Sequence, residues 1–200
     1  YSTNLEYLMF AINTSLKKTV LVLDNFYENP MEVRKFALDQ TFSEDISWYK
    51  GLRTKEQFLF SGLKETFETR IGHNISLWED HQYNGCFQIT TSEDRQVYHC
   101  DENSWAGVLY LTPGAPLHSG TRLHKSNLVN KMDQDDMSEI QSKTCFSYGF
   151  YDSTKFDTVD VIGNVFNRLV LFKSTIIHSA GEYFGNTKQN GRLVQLFFFN

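Results

Sequence analysis

Positive charge is in short supply. Nineteen lysines and arginines stand against 24 aspartates and glutamates, a formal net charge of −5, and the cations form no stripe. Non-specific nucleic-acid binding rests on neutralising phosphates, so no nucleic-acid partner is expected, although a nucleotide as substrate is not excluded. Cysteine is also scarce. Cys86, Cys100 and Cys145 are odd in number and share no metal-type spacing, which points to reduced thiols in an intracellular, cytoplasmic setting. No apolar run approaches the roughly 20 residues of a membrane span, and no membrane partner is expected. No basic-then-apolar signal segment opens the chain, while a start at Tyr1 rather than methionine leaves a removed leader open. There is no internal repeat and no low-complexity stretch, and nothing fixes an oligomeric state.

What is abundant is aromatic. Seventeen phenylalanines and ten tyrosines sit in a chain that is 40% hydrophobic. Aromatics suit pleated, half-buried surfaces, so a strand-rich fold is expected. Two hundred residues suit one domain. Thr19–Asp24 reads as a buried strand. Asn29 as N-cap, Pro30 at the first helical position and Glu32 closing a capping-box-like pair start a helix that runs to about Gln40. Residues 41–54 look irregular, with Trp48 and Tyr49 docking them. Phe60, Leu63, Phe67 and Ile71 recur at helical spacing, giving a second helix over 55–71 ended by Gly72.

From residue 75 the period becomes strand-like: 75–78, 85–91, 95–100, 106–112 and 121–124. A polar surface insertion over 125–143, with a short helix, follows. Further strands are expected at 145–151, 168–172, 175–178 and 192–199. Helical support over about 1–74 and a β core over 75–200 make a mostly β, helix-backed sandwich or jelly roll. The apolar run Leu196–Phe199 must be buried, in a core sheet or an interface.

The chemistry gathers at Tyr98-His99-Cys100-Asp101. On an extended strand, His99 and Asp101 share one face and Cys100 takes the other. His178, after the apolar run Leu169–Phe172, can supply a third corner. Two histidines and one carboxylate on one face of an octahedron leave three positions open, as non-haem iron oxygenases require.

In order and context these residues resemble the Fe(II)/2-oxoglutarate-dependent dioxygenases, and among them the prolyl-hydroxylase-like branch. The resemblance runs from Gly85 to Asn200: His99-Cys100-Asp101, then Val108-Leu109-Tyr110-Leu111-Thr112, then Gly120-Thr121, His178 and Arg192. It implies a double-stranded β-helix, Fe(II) held by His99, Asp101 and His178, and Arg192 paired with the distal carboxylate of 2-oxoglutarate with help from the Tyr110 hydroxyl. A planar, permanently charged guanidinium suits that carboxylate. It also implies a hydroxylase that consumes O2 and 2-oxoglutarate and releases succinate and CO2.

The chain departs from the pattern in places. The His178–Arg192 gap is long and turn-rich, with Gly181, Gly185, Asn186, Asn190 and Gly191. Arg168 and Lys173 are rivals to Arg192. A tyrosine ahead of the His-x-Asp motif has no clean counterpart, and Gln88, Thr90 or Thr91 stands in for it. His124 is a candidate for the substrate mouth. The expected substrate is a protein or peptide side chain, prolyl or other, or a small molecule. Two other readings are an inactive jelly-roll binding or structural module, and a cupin-like metal enzyme that uses no 2-oxoglutarate.

Overall fold

Among the described residues, ten strands form two antiparallel sheets, accompanied by three α-helices. The computed structural model describes residues 16–43 and 51–200. The strands are β1 (Val20–Leu23), β2 (Phe42–Ser43), β3 (Leu52–Thr54), β4 (Phe87–Thr90), β5 (Trp105–Tyr110), β6 (Thr121–Ser126), β7 (Phe156–Ile162), β8 (Leu169–Lys173), β9 (His178–Ala180) and β10 (Arg192–Phe199). The helices are α1 (Pro30–Asp39), α2 (Leu63–Ile71) and α3 (Glu139–Cys145). A seven-stranded sheet runs β1-β8-β5-β10-β4-β3-β2, and a three-stranded sheet runs β7-β6-β9. This is the helix-backed jelly roll that the sequence leads one to expect.

Strand β10 shows how the layers are specified. Leu193, Phe197 and Phe199 face the helices and pack with Phe67, Ile71 and Trp78. Val194 and Leu196 face the other sheet, against Tyr110, Leu123, Val170 and Phe172. Both faces are apolar because both are covered. The C-terminal aromatic run is therefore the middle of the main sheet, between β5 and β4. Gln195, on the helix side, is satisfied by the Tyr27 hydroxyl and the Phe58 carbonyl.

Several boundaries move. Helix α1 starts at Pro30 as expected, but the Asn29 side chain makes no cap bond; the fixed φ of Pro30 and an acidic first turn carry the start. Helix α2 begins at Leu63, not at residue 55. Residues ahead of it run extended because the Phe58 amide bonds Gly85 and its ring stacks on Phe87. Its C-terminus is as read, with Gly72 at φ 90° donating to Glu68.

The expected strands at 75–78 and 145–151 do not form. The first is an irregular stretch held to the C-terminus by Ser76 and Leu77; the second holds the end of α3 and a turn at Gly149. The 95–100 strand shrinks to a single bridge, and the 175–178 strand shifts to β9. Within 125–143, β6 extends to Ser126, and α3 is closed by a Ser138–Gln141 capping box. The short strands β2 and β3 fall inside the stretch read as irregular, and β7, exposed along most of its length at the sheet edge, lacks an apolar signature. Trp48 and Tyr49 lie outside the described residues.

Candidate metal centre

Three chain segments meet where the two sheets part. His99 and His178 exchange both backbone hydrogen bonds, at 3.0 and 2.8 Å, so the loop after β4 is tied to the start of β9. The Asp101 amide donates to the Ser174 carbonyl at 2.9 Å. These bonds, rather than a continuous strand, bring His99 and Asp101 to one side. Asp101 lies between the two rings: Oδ1 is 3.6 Å from His99 Nε2, and Oδ2 is 3.3 Å from His178 Nε2. One ligand atom from each residue falls within 4.8 Å of the others, and among the described residues this is the one His/Cys/Asp/Glu group so arranged.

The tautomers are set by the backbone. His99 Nδ1 faces the Val97 carbonyl at 3.2 Å, and His178 Nδ1 faces the Ile176 carbonyl at 2.8 Å. A ring nitrogen against a carbonyl carries a proton, which leaves each Nε2 turned toward the carboxylate; outer hydrogen bonds of this kind orient metal-binding histidines. Burial, then the His178 ring, push the His99 pKa down to about 4 against the pull of Asp101. Burial alone would raise Asp101, but the neighbouring His178 and His99 imidazoles outweigh it and hold Asp101 at about 2. At neutral pH His99 is neutral and Asp101 ionised, the protonation that a divalent cation needs. The donor set therefore fits a divalent metal with two nitrogens and one oxygen. Phe172 closes one side of His178 at 4.7 Å between centroids.

Deeper between the sheets sits a cation. Arg192, 3% exposed, opens β10. Its Nε donates to the Ser119 carbonyl at 2.9 Å. Its guanidinium lies 5.4 Å from the Tyr110 ring centre and 6.0 Å from that of Tyr183. Tyr110 is fully buried, and its hydroxyl is 2.7 Å from Thr121 Oγ1, tying β5 to β6. Burial raises the Tyr110 pKa, while the Arg192 charge and the Thr121 bond pull against it. Thr121 lies two residues before Leu123, the register partner of His178, so Tyr110, Thr121 and Arg192 share the inter-sheet space with the triad.

Gly120 is required here for space: a Cβ on it would lie 1.8 Å from the Ile162 carbonyl oxygen. The Gly120-Thr121 pair is thus a close approach of two connections, followed by a hydroxyl turned inward.

The rivals to Arg192 are engaged elsewhere. Arg168 makes a two-pronged pair with Asp24 at 2.6 and 3.0 Å, and Lys173 lies 3.3 and 3.6 Å from Asp135 and Asp133. His124 is not brought to a mouth. It is 1% exposed, with Nε2 2.8 Å from Ser179 Oγ and its ring against Tyr98. Cys100 turns toward Cys145 and the cluster of Tyr98, Phe156 and Ile177, and burial raises its thiol pKa. Tyr183 gives no sequence signal, since nothing periodic marks a loop residue; only the length of the loop that carries it stands out.

The chain belongs to DUF6445, a family of unknown function. That family's model matches residues 9–199. No curated protein matches this DUF6445 chain in sequence. Its fold is shared with solved structures of low identity. HygX from Streptomyces hygroscopicus, solved with nickel and 2-oxoglutarate bound, superposes with a TM-score of 0.58 at 11% identity, over 92% of this chain and 83% of HygX. AviO1 from Streptomyces viridochromogenes Tue57 gives 0.54 at 10% identity, over 91% and 90% of the two chains. A Trichoplax adhaerens prolyl hydroxylase, solved with a hypoxia-inducible-factor peptide fragment, gives 0.51 at 14% identity, over 90% and 83%. The fold expected from the resemblance is borne out.

Proposed function

We propose that this chain is an Fe(II)- and 2-oxoglutarate-dependent oxygenase that hydroxylates a C–H bond. The observation that carries the reading is the convergence of two histidine Nε2 atoms on Asp101, each ring held by its own backbone carbonyl. His99, Asp101 and His178 would hold the metal. Three ligands on one side leave positions for a chelating oxoacid and O2. Bound there, the metal and 2-oxoglutarate supply the oxidising chemistry, with succinate and CO2 as co-products.

The chain's own contribution is placement. Arg192 pairs with the distal carboxylate of 2-oxoglutarate; its fixed Nε and flanking rings orient the two Nη groups that a carboxylate can take side by side. Tyr110 offers its hydroxyl to the same carboxylate, steadied by Thr121. Phe172 and the apolar residues of the inter-sheet core keep water from the oxoacid chain. HygX has been solved with 2-oxoglutarate and hygromycin B, and the Trichoplax enzyme with a peptide. The substrate we infer is of one of these two kinds, a peptide side chain or a small molecule. No helix among the described residues is long and apolar enough to cross a membrane.

Succinate release tests the reading. Purified chain supplied with Fe(II), ascorbate, O2 and 2-oxoglutarate should form succinate slowly on its own and faster with a true substrate, so panels of peptides and small molecules can be screened by that signal. Succinate formation that is independent of iron would contradict it.

A further inference from the structure

Among the described residues, the buried hydroxyls of Thr90 and Thr175 have no partner, and Thr90 is the one paired in register with Arg192. Thr90, the last residue of β4, is 1% exposed, and its Oγ1 makes no hydrogen bond. A hydroxyl taken out of water without a partner is costly, so such a group needs an explanation. Its position supplies one. In the β4–β10 register Thr90 is the direct partner of Arg192, and directly opposed residues of an antiparallel pair project from the same face.

The third position in that row is Gly51. A Cβ built there would fall 2.7 Å from Thr90 Cγ2 and 2.1 Å from the Ile89 carbonyl oxygen. The Thr90 methyl is therefore packed over Gly51, which offers the hydroxyl no side-chain partner. The same face of β10 points between the sheets, where Arg192 lies against Tyr110. An orphaned hydroxyl thus stands beside the buried guanidinium, on the strand away from Tyr110.

We propose that Thr90 is a further positioning residue of the cosubstrate pocket, its hydroxyl donating a hydrogen bond to the distal carboxylate of the oxoacid, the one that pairs with Arg192. This rests on the oxygenase reading above. The carboxylate would then be held on two sides, by Tyr110 from β5 and by Thr90 from β4, with Arg192 between them. The pocket is complete only when the anion is present, which is why the hydroxyl is unsatisfied without it.

The test uses the full chain loaded with Mn(II), with calorimetric binding of 2-oxoglutarate and of 2-oxobutyrate, which lacks the distal carboxylate. Thr90→Val keeps the shape and removes the hydroxyl. It should weaken 2-oxoglutarate binding about tenfold, as expected for a hydrogen bond to a charged group. Mn(II) affinity and the weak binding of 2-oxobutyrate should be unchanged, and the melting temperature should not fall, because no native bond is lost. Thr90→Ser should restore binding. Unchanged 2-oxoglutarate affinity in Thr90→Val overturns the proposal, as does an equal loss for both oxoacids. If the unaltered chain binds Mn(II) but no 2-oxoglutarate, the cosubstrate reading itself fails and takes this inference with it. That failure is distinguishable, because it appears before any substitution is made.

Discussion

The two ends of the inter-sheet space are built differently. At the triad end the groups come from a loop and a strand start, and two of the three remain partly open: the His99 side chain is 37% exposed and that of Asp101 22%, while His178 is buried. One two-bond bridge and one further backbone bond set their positions. At the Arg192 end the groups come from paired strands, β4, β5, β6 and β10, and are almost wholly enclosed. The open end suits what must exchange: a metal ion, O2 and a substrate. The closed end suits a group of fixed size and charge that enters once per cycle. A buried cation is costly unless an anion meets it, so under the proposed function the closed end would take the carboxylate, while the open end would take its specificity from ligand type and geometry.

That division can be broken from either side. The largest effect is expected at the open end. His178→Ala should abolish Fe(II) binding in competent form and all succinate formation, while a chain that still binds and turns over would remove the triad from the account; metal content and succinate assays read both. Arg192→Ala should leave metal affinity near its normal value and weaken 2-oxoglutarate tens- to hundreds-fold, the size of a charge-assisted two-pronged contact of roughly 2–4 kcal/mol. Calorimetry on the metal-loaded variant checks it, and equal losses of both ligands would mean that the two ends are not separable.

Tyr110→Phe is a finer probe. It removes the hydroxyl bonded to Thr121 and should cost about 1 kcal/mol of stability, read by denaturant unfolding, and a few-fold in 2-oxoglutarate affinity. His124→Ala should act on stability alone, by about 1–3 kcal/mol through a small cavity and the lost Ser179 bond, with metal and oxoacid binding unmoved. A fall in metal affinity would extend the site beyond the triad.

The same contrast decides what the sequence could disclose. The triad was legible because its chemistry lies in residue type and order: His99 and Asp101 two apart, and His178 after an apolar strand. An extended strand would bring them together by alternation alone, whereas the structure achieves it with one bridge to His178 and one bond to Ser174. Strand periodicity marked β5, β8 and β10 because both faces of those strands are covered by apolar layers. It missed β7, which is exposed along most of its length, and it overextended α2, because the helical spacing continues into residues that Phe58 and Gly62 hold out of the helix.

The sequence leaves Arg168 a rival of Arg192, since both open apolar strands. The Asp24 partner that engages Arg168 is set by the β1–β8 pairing and not by nearness in sequence. His124 reads as a mouth residue by its distance from Gly120, but a register shift between Leu123 and His124 accompanies its enclosure against Tyr98 and Ser179. Thr90 could only be one of three polar candidates until the register set it opposite Arg192.

The central claim is that one chain holds a metal at the open end and a 2-oxoacid reaching to the closed end. An anaerobic titration tests it most directly. Fe(II) and then 2-oxoglutarate are added to the unaltered chain, to His178→Ala and to Arg192→Ala, while the visible charge-transfer absorption of the chelated oxoacid is followed. The account predicts the band in the unaltered chain, its loss in His178→Ala, and its appearance only at far higher 2-oxoglutarate in Arg192→Ala. Iron binding with no band at any oxoacid concentration would contradict it and leave a metal centre of another kind.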